Sequence, residues 1–161
     1  MLTVSDGVFA GLRPDTSGRL LRSLLEGIGA RVELDRVVPD DRARIEAALV
    51  EACDELGLDL VMSTGGTGFG PRDVTPEATL AVVQRLAPGL AEAMRLAGLK
   101  QTRAAMLSRA VAGIRGRTLI VNLPGSPRGV QESFEAIADQ IPHAVALLRG
   151  ELGLHEPAGR A

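Results

Sequence analysis

A glycine-rich stretch carries the clearest chemical signal in this sequence. Residues 63–73 read STGGTGFGPRD, with four glycines among the six positions 65–70. Glycine at such density favours a loop in which a ligand lies against bare backbone or in which φ is positive. An apolar run, LDLVMS, precedes the stretch, and a helical pattern follows it, with Thr75 as the predicted N-cap and Pro76 at the first helical position. A strand, a glycine loop and a helix in this order are where α/β proteins bind phosphate groups.

The common phosphate-binding motifs do not account for this loop. No Lys follows its glycines, as a G-x-x-x-x-G-K-[ST] motif requires, and Pro71 stands where the last glycine of G-x-G-x-x-G belongs. The sequence therefore predicts a phosphate or nucleotide site of another design.

Two aspartates are the candidate catalytic and metal-binding residues. Asp73 closes the glycine loop, and Asp40 follows the strand-like segment RVELDRVV through Pro39. Both positions are carboxyl ends of predicted strands, which meet at one crevice in an open α/β sheet. Two carboxylates beside backbone N–H groups suit Mg²⁺ with a bound nucleotide, because the carboxylates hold the hard cation and the amides bind phosphate oxygens.

Each aspartate also has a structural interpretation. One member of the pair Asp40 and Asp41 is expected to cap the helix that follows; since one cap suffices, we assign the cap to Asp41 and leave Asp40 free. Asp73 is equally consistent with a turn residue that forms an ion pair with Arg72.

The elements that must position these residues alternate along the chain. Strand-like segments (MLTVS, RVELDRVV, LDLVMS and a hairpin around Arg115, Gly116 and Arg117) are separated by helical patterns that include TPEATLAVVQRLA, while DGVFAGLRPDTSG is expected to be a loop. This order predicts an α/β fold, namely a three-layer αβα arrangement with a mostly parallel central sheet. The second glycine loop, NLPGSP, again precedes a Ser-Pro helix start, so both loops are expected to face one site.

Composition narrows the class of protein. The 161 residues predict one domain over 1–150 and a polar tail over 151–161. A formal charge of −2, 2% aromatic residues and no Trp or Tyr argue against nucleic-acid binding. The single cysteine excludes an internal disulfide, and two histidines exclude most zinc frameworks. No run reaches the ~18 apolar residues of a membrane span, and no signal peptide is apparent, so we expect no membrane association and a cytoplasmic location.

Together these motifs resemble the MogA/MoaB family, which includes bacterial MogA and the G domains of the plant molybdenum-cofactor protein and of gephyrin. The resemblance extends from Leu2 to Gly150. Its motifs are TVSDGVFAGLRPDTSG, VPDD, STGGTGFGPRDVTPEAT and MLSRAVAGIRGRTLIVNLPGSP.

The resemblance implies a molybdopterin adenylyltransferase, which transfers AMP from Mg-ATP to the molybdopterin phosphate and releases pyrophosphate in molybdenum cofactor biosynthesis. Asp40 and Asp73 match the family's catalytic aspartates and are the expected Mg²⁺ ligands. Ser108 matches a serine linked to pterin binding, and Arg109 beside it is a further candidate for that role. The expected nucleotide and phosphate contacts are Ser5, Asp6, Gly65, Gly66, Thr67, Gly68, Asn122, Pro124, Gly125 and Ser126.

The resemblance also implies partners. A homotrimer is expected, and the segment PGLAEAMRLAGLKQTRAAMLS has more small and apolar residues than one core-facing helix needs. A downstream molybdenum-insertion protein would receive the product. Two alternatives stay open: a MoaB-type paralogue that binds molybdopterin without adenylyl transfer, and an oligomeric scaffold or binding module.

Overall fold

The computed structural model describes residues 1–151, and residues 152–161, which make up nearly all of the expected polar tail, lie outside the described part. Six strands form one sheet in the order β2-β1-β3-β6-β5-β4. The first four in that order are parallel, whereas β5 is antiparallel to both β6 and β4. The strands are β1 (Leu2–Val4), β2 (Arg36–Val38), β3 (Leu60–Thr64), β4 (Arg85–Leu86), β5 (Ala112–Arg115) and β6 (Thr118–Leu123).

Helices cover both faces of this sheet. They are α1 (Asp6–Phe9), α2 (Thr16–Gly27), α3 (Arg42–Val50), α4 (Thr75–Val82), α5 (Pro88–Leu99), α6 (Pro127–Glu135) and α7 (Ile141–Arg149). A π-helical turn, Glu51–Glu55, extends α3, and a 3₁₀ turn, Arg103–Leu107, follows α5. None of the described helices is both long and apolar enough to cross a membrane.

Two hydrophobic clusters define the layers. On one face, α2, α5, α6 and α7 pack against the alternate β6 side chains Leu119, Val121 and Leu123. On the other face, α3 and α4 pack against Ile120 and against the β1 residue Leu2. Because side chains alternate along a strand, β6 contributes to both clusters and is buried throughout. The predicted three-layer αβα fold is confirmed.

Three predicted segments differ from the structure. Of the predicted strand RVELDRVV, only Arg36–Val38 pairs with the three residues of β1 and forms a strand. The loop DGVFAGLRPDTSG contains the short helix α1, because Ser5 accepts a hydrogen bond from the Val8 N–H and caps it. The helix predicted over TPEATLAVVQRLA ends at Val82. Beyond it, Gln84 N–H and Ala87 N–H donate to carbonyl oxygens of β5, which pairs this segment into the sheet as β4.

The strand order also creates an opening. The connection after β1 leads to β2 on one side, whereas the connection after β3 leads toward β4 on the other side. Where the chain departs in opposite directions from two adjacent parallel strands, a crevice opens beyond their carboxyl ends. The glycine loop begins at this point, directly after Thr64.

Candidate active site

A cavity of about 740 Å³ lies at the carboxyl ends of β1, β3 and β6. The glycine loop forms its floor, and the β6–α6 loop forms one wall. The opposite walls come from the segment between α1 and α2 and from the α5 helix with its following 3₁₀ turn. A volume of this size is typical of small-molecule sites.

Most of the predicted site residues line this cavity, although they come from five separate segments of the chain. Three do not: Asp6, Asn122 and Arg109 lie outside its lining. The predicted residues that line it are Ser5, Asp40, Gly65, Gly66, Thr67, Gly68, Asp73, Ser108, Pro124, Gly125 and Ser126.

The glycine loop has a backbone that side chains would not permit. Gly65 and Gly66 have φ values of +102° and +64°. A Cβ atom on Gly65 would overlap the Val4 carbonyl oxygen, and one on Gly66 would overlap the Thr75 hydroxyl. The loop is therefore pressed against the end of β1, with its backbone available to the cavity.

Thr75 holds this loop rather than capping α4. Its hydroxyl donates to the Gly65 carbonyl oxygen at 2.9 Å, and its N–H donates to the Gly66 carbonyl oxygen at 3.1 Å. Val74 occupies the N-cap position and makes no side-chain cap hydrogen bond. The predicted Thr75 N-cap is wrong, because Thr75 is the first residue of α4 and its buried hydroxyl faces the Gly65 carbonyl oxygen instead of a helix N–H.

Asp73 folds back into the glycine loop. Its carboxylate accepts a hydrogen bond from the Gly70 N–H at 2.7 Å. A Cβ atom on Gly68 or Gly70 would lie within 2.9 Å of Asp73 Oδ2, so these two glycines leave room for the carboxylate. Arg72 instead binds the Asp6 carboxylate at 2.8–3.1 Å, and the Arg72–Asp73 ion pair considered from the sequence is therefore wrong.

Asp40 and Asp41, which follow β2, have different roles: one lines the cavity and the other caps α3. Asp41 caps α3 by accepting a hydrogen bond from the Arg44 N–H at 2.9 Å. Asp40 is free of that task, as predicted, and lines the cavity. It exchanges hydrogen bonds with Asp6: Asp6 N–H donates to Asp40 Oδ2 at 2.8 Å, and Asp40 N–H donates to Asp6 Oδ1 at 3.0 Å.

Asp40 is a partly buried carboxylate with two other carboxylates, Asp6 and Asp73, close enough to affect its pKa. Burial raises the pKa of its carboxyl above the ordinary value, and the carboxylates of Asp6 and Asp73 raise it further, against the opposing effect of the Asp6 hydrogen bond. The pKa of Asp6 moves the other way, chiefly because Arg72 donates to its carboxylate. Asp6 is thus neutralised by its salt bridge to Arg72, whereas Asp40 lines the cavity without a salt bridge of its own and feels Arg72 only as a weaker opposing effect.

The two cavity carboxylates suit a magnesium ion that arrives with a nucleotide. Among residues 1–151, no group of three or more His, Cys, Asp or Glu side chains forms a ready-made metal cage. The glycine loop runs between the two acids: a Cβ on Gly66 would lie 3.2 Å from Asp40 Oδ1, and one on Gly68 would lie 2.9 Å from Asp73 Oδ2. Mg²⁺ usually takes one or two carboxylates and completes its shell with phosphate oxygens and water, so the donor set fits.

Arg109 holds the glycine loop from outside the cavity. Its guanidinium donates to the Gly68 carbonyl oxygen at 2.7 Å, to the Asp73 carbonyl oxygen, and to the Glu77 carboxylate. Its own N–H donates to the Thr67 carbonyl oxygen at 2.9 Å. With these contacts made, Arg109 is a brace for the loop that carries Asp73.

Asn122 is a buried connector. Its side-chain amide donates to Ser63 Oγ at 3.0 Å and to Thr79 Oγ1 at 2.9 Å, and its Oδ1 accepts from the Val111 N–H at 3.2 Å. These bonds join β3, α4 and β6 beneath the glycine loop. A ligand contact by Asn122 stays a prediction that the cavity lining does not support.

Sequence reasoning missed two arginines that line the cavity. Arg13 donates to Ser5 Oγ at 2.8 Å, and Arg95 donates to the Ala110 carbonyl oxygen at 3.0 Å. Arg13 lies within the motif TVSDGVFAGLRPDTSG but was not identified there as a site residue, and Arg95 lies in none of the motifs. Only the fold places them beside a glycine loop.

Comparisons with known proteins agree on one family. A family model described as "Probable molybdopterin binding domain" matches residues 1–143. The molybdopterin adenylyltransferase of Helicobacter pylori (strain J99) is 43% identical over 152 residues, which cover 93% of this chain and 86% of the relative. The Escherichia coli K12 molybdopterin adenylyltransferase is 38% identical over 164 residues, covering 93% and 84%. The crystal structure of the molybdopterin biosynthesis enzyme MoaB from Thermus thermophilus is 52% identical, covers 92% of this chain and 94% of its own, and superposes with a TM-score of 0.88.

Proposed function

The chain belongs to the MogA/MoaB family of molybdopterin-binding proteins, and on that premise we propose that it is a molybdopterin adenylyltransferase that uses Asp40 and Asp73. The reaction transfers AMP from ATP to the molybdopterin phosphate and releases pyrophosphate. The observation that carries this proposal is the meeting of Asp40 and Asp73 in one cavity, on either side of a glycine loop with two positive φ angles. Relatives named for this activity cover most of the chain.

The chemistry needs positioning and charge neutralisation more than it needs a protein nucleophile. An oxygen of the molybdopterin phosphate attacks the α-phosphorus of ATP, and the bond from that phosphorus to the β-phosphate oxygen breaks in line. Both reactants are anions, so the backbone N–H groups of residues 66–68 are suited to bind phosphate oxygens, whereas the Gly65 N–H already donates to the Leu123 carbonyl oxygen. Asp40 and Asp73 would hold Mg²⁺, which when bound neutralises charge on the phosphates.

Two parts of the cavity lining suit the two substrates. Asp40, Asp73 and the glycine loop are the polar part. Ser108 belongs to the part formed by α5 and its 3₁₀ turn, whose side chains are mostly small and apolar and include Met94, Ala105 and Leu107. A flat pterin ring suits such a surface, so we assign molybdopterin to the Ser108 wall and ATP to the aspartates and the glycine loop.

Incubation of the protein with molybdopterin and Mg-ATP tests the proposal. The expected outcome is release of pyrophosphate together with a product whose mass is that of adenylylated molybdopterin. A second candidate is a MoaB-type paralogue that binds molybdopterin without adenylyl transfer, and the 52% identity to the Thermus structure titled MoaB is the reason to test it. Binding of molybdopterin with no pyrophosphate release would support that candidate and contradict ours.

A homotrimer and transfer of the product to a molybdenum-insertion protein complete the proposal. The segment singled out in the sequence exposes several large apolar side chains, among them Leu96 (64% exposed), Leu99, Met106 (59%) and Leu107. Exposed apolar residues clustered in one segment favour a subunit interface. Light scattering after size exclusion is expected to give three times 16.8 kDa; a monomer would contradict the trimer, and twice the trimer mass would indicate a hexamer.

A further inference from the structure

We propose that Arg13 binds the terminal phosphates of ATP, and hence the pyrophosphate that leaves. This inference rests on the proposed function, since it names the side chain that recognises one part of the substrate. The polar part of the cavity lining contains the carboxylates of Asp40 and Asp73, yet the cavity must accept a negatively charged polyphosphate. A bound metal ion offsets part of that repulsion, and an arginine is the side chain best suited to offset more.

The arginines nearest the glycine loop are already engaged. Arg72 forms a salt bridge with Asp6, and Arg109 forms one with Glu77. Within residues 1–151, Arg13 and Arg95 are the two arginines that line the cavity, and neither forms a salt bridge. Their positive charges are therefore not neutralised by protein carboxylates.

The two cavity arginines are held by different segments of the chain. Arg95 donates to the carbonyl oxygen of Ala110, two residues beyond Ser108. Arg13 donates to Ser5 at the end of β1, and the next residue, Asp6, exchanges hydrogen bonds with Asp40. Arg13 is thus the cavity arginine that is linked through Ser5 and Asp6 to Asp40, beside which the nucleotide is expected.

Arg13 is held by a fixed, neutral anchor. Ser5 is only 5% exposed; its N–H donates to the Val38 carbonyl oxygen at 2.9 Å, and its hydroxyl also accepts from the Val8 N–H at 3.3 Å. A hydroxyl acceptor orients the guanidinium at 2.8 Å without cancelling its charge. The remaining N–H groups of the guanidinium stay available to phosphate oxygens.

Gly7 provides the space for this side chain. A Cβ atom at Gly7 would lie 3.0 Å from Arg13 Nε, 3.4 Å from Cδ and 3.5 Å from Cγ. The φ angle of Gly7 is not positive, so the backbone conformation itself does not require glycine there. Because Gly7 has no Cβ, the Arg13 side chain can cross α1 at this point and reach the cavity.

The binding of inorganic pyrophosphate in the presence of Mg²⁺, measured by calorimetry, tests the proposal directly. Arg13→Gln is expected to weaken binding by about tenfold or more, the loss typical of a charged hydrogen-bonding partner. The matched control is Arg19→Gln, which removes the same charge from an exposed position of α2 outside the cavity lining and is expected to bind as the wild type does. Equal affinity in Arg13→Gln and wild type, or no measurable binding by the wild type, would overturn the proposal.

A double-mutant cycle tests the contribution of Gly7. Gly7→Ala is expected to weaken pyrophosphate binding when Arg13 is present and to have no effect in the Arg13→Gln background, because the added methyl acts only through the displaced arginine. An equal loss in both backgrounds would contradict the arrangement described. Neither measurement uses molybdopterin or turnover, so a protein that passes both tests but transfers no AMP would overturn the proposed function alone.

Discussion

The two glycine loops of this protein look alike in sequence and differ in structure. Each follows a buried strand and leads into a helix whose first turn contains proline, after Thr75 in one and Ser126 in the other. In the β6–α6 loop, Ser126 caps the helix by accepting from the Gly129 N–H at 3.1 Å. In the β3–α4 loop, Thr75 donates to the Gly65 carbonyl oxygen instead.

The loops also differ in length and charge. Ten residues separate Thr64 from Thr75, and they include two glycines with positive φ and the carboxylate of Asp73. Three residues separate Leu123 from Pro127, and none of them is charged or has a positive φ. The two loops touch, since a Cβ on Gly125 would lie 3.2 Å from the Gly65 Cα. The short loop is an uncharged wall of the cavity, and the long loop is the part suited to bind charged ligands.

The largest expected effect is a loss of adenylyl transfer when the charge of Asp73 is removed from the β3–α4 loop. Asp73→Asn is expected to reduce adenylyl transfer at least ~10³-fold, because the isosteric amide no longer holds a cation beside the phosphates. Circular dichroism and the melting temperature should stay close to those of the wild type. Asp41→Asn is the matched control, since asparagine caps a helix as well as aspartate does. Comparable turnover in Asp73→Asn and wild type would remove Asp73 from the catalytic site.

A methyl group should be tolerated much better in the short loop than in the long one. Gly65→Ala places a Cβ on the Val4 carbonyl oxygen at a φ of +102°, and it is expected to cost about 3 kcal/mol or more of unfolding free energy. Gly125→Ala brings its Cβ to 3.2 Å from the Gly65 Cα, a tight contact that a shift of a few tenths of an ångström relieves, and it is expected to cost about 1 kcal/mol. Urea denaturation of both variants measures the difference; similar costs would mean that the loops are equally constrained.

The hydroxyls of Thr75 and Ser126 should differ in what a substitution must preserve, because the Thr75 hydroxyl acts as a donor and the Ser126 hydroxyl acts as an acceptor. Thr75→Val keeps the shape but removes the donor to the Gly65 carbonyl oxygen, and it is expected to cost about 2 kcal/mol. Ser126→Asp keeps a capping acceptor and is expected to change stability by less than about 0.5 kcal/mol. Thr75→Ser, which restores a donor, should recover most of the loss in the same urea experiment. A neutral Thr75→Val would show that the hydrogen bond does not hold the long loop.

The smallest expected effect is a change in stability, a gain that comes from removing the charge of Asp40. Burial raises the pKa of its carboxyl, so the folded state binds the proton more tightly than the unfolded state does, and stability falls as the pH rises through that pKa. Asp40→Asn keeps an oxygen for the Asp6 N–H and removes the charge. Without Mg²⁺ at pH 7 its melting temperature should lie slightly above that of the wild type, and the gain should shrink toward the ordinary carboxyl pKa of about 3.9. A gain that grows as the pH falls would contradict this account.

The fold and the aspartate and glycine-loop part of the site were predictable, because the sequence patterns that indicate them are local. The alternating strand and helix patterns predicted the three layers. That Asp41 caps α3 and Asp40 does not was predictable because the helix needs only one N-cap. The end of α4 was not predictable, because Arg85–Leu86 continues a helical pattern and becomes a strand only by pairing with β5. The donor role of Thr75 was not predictable either, because it depends on a loop that folds back over the hydroxyl. Nor was the position of Arg13, because its hydrogen bond to Ser5 forms only in the folded chain.

The strand order also bears on how the chain folds. The β5–β6 pair closes across a two-residue turn, whereas Leu2 of β1 pairs with Ser63 of β3, and Leu60 of β3 pairs with Leu119 of β6. Pairings between distant residues cost more loop entropy and form more slowly than local ones. The cavity lies at these distant pairings, and its last wall, Pro124 to Pro127, is synthesised after four-fifths of the described chain. A nascent chain on the ribosome therefore has no complete cavity to offer a ligand until synthesis has passed β6.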